Sequence, residues 1–257
     1  MKLFRVRTLR KGHRYLGLLV GIQLFFWTVS GLYFAWNPLS KVRGEHLANP
    51  SETLAAVGDL AAVISPQEAI AALEVESPEQ LELDGLALMP LLGEPYYELR
   101  YREAGTERTA LIHAHTGVHR GELTPEEARA VAEADFAAAA PIRAIERVES
   151  SVKDGEYRGK PLPAWRVTFD HATNTRIYID AIAGRITARR NDTWRIFDFL
   201  WMFHILDFEA RDDFNHWLLR IMSLLGVVTV LSGFALFVVT SKPMVERRGR
   251  RARDSLG

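Results

Sequence analysis

Three of the eight histidines stand where an imidazole could bind haem. His13 comes directly before one long apolar stretch, and His204 and His216 come before a second. An imidazole at the end of a membrane helix is an axial ligand for haem, so these residues are candidate ligands of a haem b. In antiparallel spans His13 and His216 lie roughly 30 Å apart. One haem could therefore be held by His204 with His216, or by one histidine from each subunit of a dimer.

The alternative interpretation is that these histidines only flank the membrane. His13 stands beside Arg14 and His216 beside Trp217, and basic and aromatic residues collect at membrane interfaces.

Three further histidines, His113, His115 and His119, form a second cluster. His113 and His115 share one face of a predicted strand, and His119 follows the Thr116-Gly117 turn. Imidazoles this close could hold Zn²⁺ or Cu²⁺. The spacing matches no recognised metal signature, however, so a solvent-facing strand end is the alternative interpretation.

Known catalytic signatures are missing from the sequence. The chain contains no cysteine, which excludes disulfides, thiolate metal sites and cysteine nucleophiles. It also lacks the G-x-S-x-G and H-E-x-x-H motifs and a glycine-rich phosphate loop. These features favour a protein that is not an enzyme, or else a haem-dependent membrane oxidoreductase.

Two uncharged stretches are long enough to cross a membrane. The first runs from Tyr15 to Trp36 and the second from Ile221 to Thr240. At ~1.5 Å per helical residue, each covers the ~30 Å hydrocarbon layer. A cleaved signal peptide would have a shorter apolar core and small residues at its cleavage site, so we expect the first span to be retained.

Basic residues are concentrated at both ends of the chain. The first fourteen residues contain six Lys or Arg and no acid, and the last seventeen contain six against two acids. The middle keeps 20 basic and 30 acidic residues of the 32 of each kind, a net charge of about −10. Because Lys and Arg collect on the cytoplasmic side of membrane spans, we expect both termini in the cytoplasm of a bacterial cell and the middle outside the inner membrane. The same placement argues against nucleic-acid binding by the tails.

The middle of the chain contains an internal repeat, at residues 65–121 and 123–190. Each unit begins with a helix rich in Ala and Glu, continues in alternating strands and closes on a glycine turn. The two helix starts match as capping boxes: Ser65, Pro66 and Glu68 in the first unit, and Thr124, Pro125 and Glu127 in the second. The pattern predicts one helix and about three antiparallel strands in each unit.

The closing turn of the second unit resembles that of a known domain. Ile179 to Gly184 read I-D-A-I-A-G, which is similar to the D-A-x-x-G ending of PepSY domains, and the first unit has His113 where the second has Asp180. With its two spans and the H-R-Y-L-G stretch from His13 to Gly17, the chain resembles the PepSY-associated transmembrane proteins over roughly residues 10–240. The resemblance implies an α+β fold, in which two transmembrane helices flank a periplasmic domain of two PepSY-like repeats.

The resemblance also has a functional implication. Some relatives in this family are haem-bearing reductases of ferric siderophores, generally with more than two spans. The resemblance therefore links the candidate haem ligands to iron uptake.

Two helical patterns indicate contacts near the membrane. Residues 193–209 predict a helix with one aromatic face, made of Trp194, Phe197, Trp201, His204 and Phe208. That face requires burial, and we expect it in the membrane interface rather than on the repeats or a partner. In the first span, Gly17 and Gly21 form a G-x-x-x-G pair that allows close helix packing. The pair could form the contact with a second copy or with a larger membrane partner. The alternative is that it packs the two spans of one chain on each other.

The expected organisation follows the chain as a basic cytoplasmic tail (1–14), a transmembrane helix (15–36), a connector (37–64), two repeats (65–121 and 123–190), an aromatic interfacial helix (193–209), a second transmembrane helix (217–240) and a basic cytoplasmic tail (241–257). We expect a non-catalytic accessory or regulatory module, anchored in the lipid bilayer, for a membrane or periplasmic protein partner. The alternative is a haem b electron-transfer protein or reductase subunit linked to ferric-siderophore uptake. A third interpretation is periplasmic metal handling by His113, His115 and His119.

Overall fold

The computed structural model describes residues 2–51, 53, 62–76, 81–150, 155–209 and 211–254. Parts of the predicted connector and repeats, at 52, 54–61, 77–80 and 151–154, lie outside the described residues, as do 255–257 of the tail. The helices are α1 (Lys2–Trp36), α2 (Leu39–Val42), α3 (Pro66–Glu76), α4 (Pro125–Asp135), α5 (Asp192–Ile205) and α6 (Trp217–Asp254). The strands are β1 (Glu82–Leu91), β2 (Glu94–Glu103), β3 (Thr106–His113), β4 (His119–Arg120), β5 (Ile142–Val148), β6 (Ala164–Phe169), β7 (Arg176–Asp180) and β8 (Ile186–Arg190).

The chain divides into two compact units. The terminal unit comprises Met1–Pro38 and Ile196–Gly257, and the middle unit comprises Leu39–Arg195. In the terminal unit, α1 and α6 contain the two segments that are long and apolar enough to cross a membrane, Arg7–Trp36 and Trp217–Ser241.

The two long helices of the terminal unit pack on each other in opposite directions. A Cβ placed on Gly226 would lie 4.0 Å from the side chains of Val20 and Trp27, and one on Gly233 would lie 3.3 Å from His13 Cε1. Later residues of α6 thus lie beside earlier residues of α1. The glycines of α6 therefore permit the close approach of the two spans.

Each repeat of the middle unit forms one helix and a four-stranded antiparallel sheet, in the order β1-β2-β3-β4 or β5-β6-β7-β8. The predicted α+β fold is confirmed, but each repeat has four strands instead of about three. The first strand of each sheet was not predicted. Both first strands contain a break in register, at Leu83/Gly85 in β1 and Ile142/Ala144 in β5. Such a bulge interrupts the alternation from which strands are recognised.

Both predicted capping boxes are present. The Ser65 and Thr124 hydroxyls accept the backbone N–H of Glu68 and Glu127 at 3.3 and 3.2 Å. The glutamate side chains in turn accept the backbone N–H of the two cap residues, at 2.7 and 2.9 Å. These local bonds satisfy helix N–H groups that have no partner inside the helix, and they fix where α3 and α4 begin.

One of the three hydrophobic clusters in the middle unit spans both repeats. Leu91 and Leu111 of the first sheet are buried in the same cluster as Trp165, Val167 and Ile177 of the second. Glu98 of β2, with only 4% of its surface exposed, forms an ion pair across this boundary with Arg185 of the second repeat. The repeats therefore form one packed domain, since each contributes to the burial of the other.

The opposite face of the second sheet is covered by the short 3₁₀ turn Gly155–Tyr157. The Tyr157 ring stacks on Tyr178 of β7 at 4.7 Å. Glu156 accepts hydrogen bonds from Arg195 at 2.7 Å and from Arg176 at 3.0 Å. Burial opposes the ionisation of Glu156, but the bonds and charges of Arg195 and Arg176 outweigh it and hold its pKa below the usual value.

Candidate functional site

The aromatic face of α5 packs against the C-terminal half of α1. The Phe34 ring lies 4.5 Å from Phe197, 5.9 Å from Trp201 and 5.5 Å from His204, measured between ring centroids. The sequence predicted this aromatic face, but it did not predict that the face packs against α1. Its placement in the membrane interface stays a prediction.

Polar groups of α1 hold the end of α5. The Gln23 amide donates to the Phe203 carbonyl at 2.9 Å, and the Trp27 indole N–H donates to the His204 carbonyl at 2.6 Å. Gln23 and Ser30 are both buried. These bonds satisfy the last carbonyls of α5, which have no partner inside the helix.

His204 is oriented by a serine of the first span. Its Nδ1 lies 2.6 Å from Ser30 Oγ. The Ser30 hydroxyl donates its proton to the Phe26 carbonyl at 2.6 Å, so it must accept one from His204 Nδ1. This leaves a lone pair on Nε2, and burial lowers the pKa of His204, which keeps the ring neutral. A neutral imidazole whose Nδ1–H is held by a neighbour is the form that binds metals.

His13 has the same arrangement at the other end of α1. Its Nδ1 lies 2.7 Å from Ser232 Oγ, and the Ser232 hydroxyl donates to the Thr229 carbonyl at 2.7 Å. His13 therefore also donates from Nδ1 and has a lone pair on Nε2. His13 and Ser30 are seventeen residues apart on α1, which places the two histidine sites ~25 Å apart along the helix.

His216 lies at the same end of the terminal unit as His204 but has a different environment. Its Nε2 donates to the Ile205 carbonyl at 2.8 Å, and its Nδ1 accepts the Leu219 N–H at 3.4 Å. Both ring nitrogens are thus occupied, and His216 caps the ends of two helices. A haem between His204 and His216 would require His216 to give up both contacts, so this pair does not fit. His13 and His204 fit as ligands, each with a second ligand from elsewhere.

The histidines of the first repeat lie around its closing turn. His113 Nδ1 accepts the backbone N–H of His115 at 3.2 Å, and its Nε2 lies 3.5 Å from a carboxylate oxygen of Glu94. His119 is paired in β4 with Ile112. In the second repeat, Asp180 accepts backbone N–H groups in the same place. His113 therefore has the turn-forming role of that aspartate.

Metal binding by His113, His115 and His119 stays a prediction. The rings of His113 and His115 are 5.8 Å apart between centroids. Within the described part of the chain, no three His, Asp or Glu side chains are grouped so that they could hold a metal ion.

Gly17 and Gly21 face open space. A Cβ on either residue would meet no atom of the described chain within 4 Å. They follow His13 by four and eight residues, so the three residues share one side of α1. The glycines that pack α1 on α6 are instead Gly226 and Gly233 of α6.

The serines were not recognised as site residues from the sequence. Ser30 and Ser232 are small polar residues inside apolar stretches, a pattern that also arises wherever spans pack closely. Their role becomes visible only through contacts with histidines 174 and 219 residues away in the chain.

Two apolar helices, each with a partly buried serine–histidine contact, and a domain of two α+β repeats define a class of membrane protein. Comparison with protein families matches residues 10–256 to the PepSY-associated TM region family. The protein belongs to this family, and the resemblance seen in the sequence is confirmed. A comparison with curated proteins found no match.

Proposed function

We propose that the protein is a haem b electron-transfer protein of the inner membrane, in which His13 and His204 each ligate a haem together with a second ligand from another chain. The observation that carries the proposal is the paired hydrogen bonding of Ser232 and Ser30, which leaves Nε2 of each histidine with a lone pair. Among the described residues neither Nε2 has a hydrogen bond. A haem b at such a site supplies a one-electron Fe(III)/Fe(II) couple.

The two ligand positions support transfer of electrons along the spans. His13 and His204 lie at opposite ends of α1, and each is fixed by a serine that is bonded to a backbone carbonyl. The protein's own contribution is to orient both rings through the serine contacts. The family resemblance makes ferric siderophores the acceptors we expect.

Replacement of single histidines tests the ligands. We expect His13→Ala and His204→Ala each to lose about half of the haem that copurifies with the detergent-solubilised protein. His216→Ala is the matched control, because its ring nitrogens already bind backbone groups, and it should keep its haem. Equal loss in all three variants, or loss in His216→Ala alone, would contradict the ligand assignment.

A second copy of the chain docks on the Gly17–Gly21 side of α1, away from Ser30 and His204. Gly17 and Gly21 leave that side of the helix open, so a second α1 could approach closely there. Because the chain has no cysteine, Leu24→Cys introduces a single thiol on the same side. A short bismaleimide should cross-link it in native membranes to a product of twice the chain mass.

Bulky residues on that side should prevent the cross-link. We expect Gly17→Ile/Gly21→Ile to reduce the dimer product at least about fivefold, because a close helix contact does not accommodate branched side chains. Leu18→Phe/Ile22→Phe, on an exposed side of the same helix, is the control and should leave the product unchanged. A product that is equally strong in all variants would show that the glycine side is not the contact.

The second candidate function is a non-catalytic accessory or regulatory module for a larger membrane or envelope protein. The same open glycine side favours it, since a partner helix could dock there instead of a second copy. In that case the Leu24→Cys thiol would cross-link to a protein of different mass and the purified chain would be colourless.

We place the middle unit in the periplasm and both termini in the cytoplasm. The basic ends and the acidic middle support this orientation. The exposed rings of Tyr15 at one end of the first span and Trp36 at the other suit the two interfaces of a bilayer. A membrane-impermeant maleimide should label Lys160→Cys in intact spheroplasts, and Arg250→Cys only after permeabilisation. The reverse pattern would invert the topology.

A further inference from the structure

A groove lies between α4 and the first strand of the second sheet. Its volume is about 270 Å³, and it is lined by Pro125, Glu126 and Arg129 of α4 and by residues 142–145 of β5. The groove belongs entirely to the middle unit and is remote in sequence from the histidines of the spans. An inference drawn from it is therefore independent of the proposed haem function.

The strand that forms one wall of this groove has a free edge. In the order β5-β6-β7-β8, β5 has a neighbouring strand on one side only among the described residues. The N–H and C=O groups on its outer side can pair with another extended chain. A helix next to an open strand edge is the arrangement in which an added peptide strand can also place side chains against the helix.

The other edges of the two sheets are less suited to strand addition. β4 contains only two residues. The edge strand β8 is close to the connector, where Asn191 Nδ2 donates to the Lys41 carbonyl at 3.2 Å. β1 contains Pro90, which has no N–H to donate.

The groove lining carries two arginines and one glutamate, Glu126, so its net positive charge favours an acidic incoming chain. Arg143 lies at the bulge of β5 and is exposed, and its side chain has no hydrogen bond or ion pair among the described residues. Arg129 lies across the groove, in an exposed pair with Glu133 at 3.6 Å. Ile142 and Ile145 supply apolar contacts between the charges. An extended segment with alternating acidic and apolar residues matches this lining.

We infer that the groove binds an extended acidic segment of a partner protein, which pairs with β5 as an added strand and places carboxylates near Arg143 and Arg129. The backbone pairing supplies much of the affinity, and the arginines supply the preference for acidic segments.

Binding of defined peptides to the full-length, detergent-purified protein tests the inference. The probe is a fluorescein-labelled peptide of four Val-Glu repeats, followed by fluorescence anisotropy. We expect saturable binding in the micromolar range, and binding at least about tenfold weaker for a peptide of four Val-Lys repeats. Arg143→Glu should weaken binding of the Val-Glu peptide at least about tenfold. Lys160→Glu, the same charge change at an exposed residue outside the groove, should leave it unchanged.

Backbone methylation separates strand pairing from simple charge attraction. All valine N–H groups of an extended Val-Glu peptide point to one edge, and all glutamate N–H groups to the other. If the peptide adds to β5, N-methylation of one set should abolish binding while N-methylation of the other set preserves it. No saturable binding, equal effects of the two methylations, or an unchanged affinity in Arg143→Glu would overturn the inference. None of these results bears on haem content, so a failure here leaves the proposed function intact.

Discussion

The two repeats close their last hairpins with the same backbone hydrogen bonds but with different side chains. In each, the glycine N–H donates to a carbonyl four residues earlier, at 2.9 Å in the first repeat and 3.0 Å in the second. Asp180 then accepts two further N–H groups, at 2.8 and 2.9 Å, whereas His113 accepts one at 3.2 Å. The backbone pattern thus fixes the turn, and the side chain that supports it can be exchanged.

The turns differ more in what surrounds their glycines. Gly117 and Gly184 both have positive φ, of 71° and 68°. A Cβ on Gly117 would lie 3.6 Å from Ile64, an ordinary contact. A Cβ on Gly184 would lie 2.7 Å from Leu91 of the other repeat. Only the second turn is therefore part of the contact between the repeats, and substitutions at matched positions should reveal this asymmetry.

The largest expected effect is that of Gly184→Ala. The added methyl would strain the backbone and displace Leu91, and together these effects should lower the free energy of unfolding by about 3 kcal/mol. Gly117→Ala should cost only about 1 kcal/mol, because its one penalty is a side chain at positive φ. Urea unfolding in mild detergent, followed by tryptophan fluorescence, measures both. Equal losses would show that Gly184 is not packed between the repeats.

A second pair of positions tests the ion pair between the repeats. Arg185→Met leaves the buried Glu98 carboxylate without its guanidinium, which should cost about 2 kcal/mol in the same unfolding assay. Arg166, the counterpart of Glu98 in the second repeat, pairs at 3.0 Å with Glu146, whose side chain is half exposed. Arg166→Met should therefore change stability by less than about 0.5 kcal/mol. Similar losses in both variants would contradict the difference in burial.

The pH dependence of stability should reflect Glu156, a feature of the second repeat alone. Because its pKa is lowered in the folded state, its ionised form stabilises the fold above the unfolded pKa of an ordinary glutamate. This contribution is lost as the pH falls through the lower folded pKa. Glu156→Gln should lower stability at neutral pH and make it fall less steeply in acid. If the free energy of unfolding of Glu156→Gln falls with decreasing pH as steeply as that of the unsubstituted protein, Arg195 and Arg176 do not act through this carboxylate.

The smallest expected effect is at the turn of the first repeat. His113→Asn keeps a side-chain acceptor for the His115 N–H and should change stability by less than about 0.5 kcal/mol, whereas His113→Ala should cost about 1 kcal/mol. His113→Asn also removes an imidazole from the predicted metal site. Retained fold with lost Zn²⁺ binding, measured by metal analysis after dialysis, would support that site. If the unsubstituted protein binds no Zn²⁺, the predicted metal site is wrong.

The features that were predictable from the sequence are those that depend on residues close together along the chain. The capping boxes at Ser65 and Thr124 and the two apolar helices follow from short patterns, and they are confirmed. β1 and β5 were missed because their bulges interrupt the alternation. The shared core was not predictable either, since Leu91 and Gly184 meet over a separation of 93 residues.

The candidate site was only partly predictable for the same reason. The sequence singled out His13, His204 and His216 because they stand at the ends of apolar stretches. It could not distinguish them, because their differences arise from hydrogen bonds made at long range. Ser232 and Ser30 leave Nε2 of His13 and His204 with a lone pair, whereas backbone groups occupy both nitrogens of His216.

The most direct test of the proposed function is the absorbance spectrum of the detergent-purified protein, oxidised and then reduced with dithionite, with the extracted haem quantified per chain. The account predicts a red protein with at least one haem b per chain and a reducible spectrum. A colourless protein from haem-replete cells would contradict the electron-transfer proposal and leave the accessory-module function as the one to pursue.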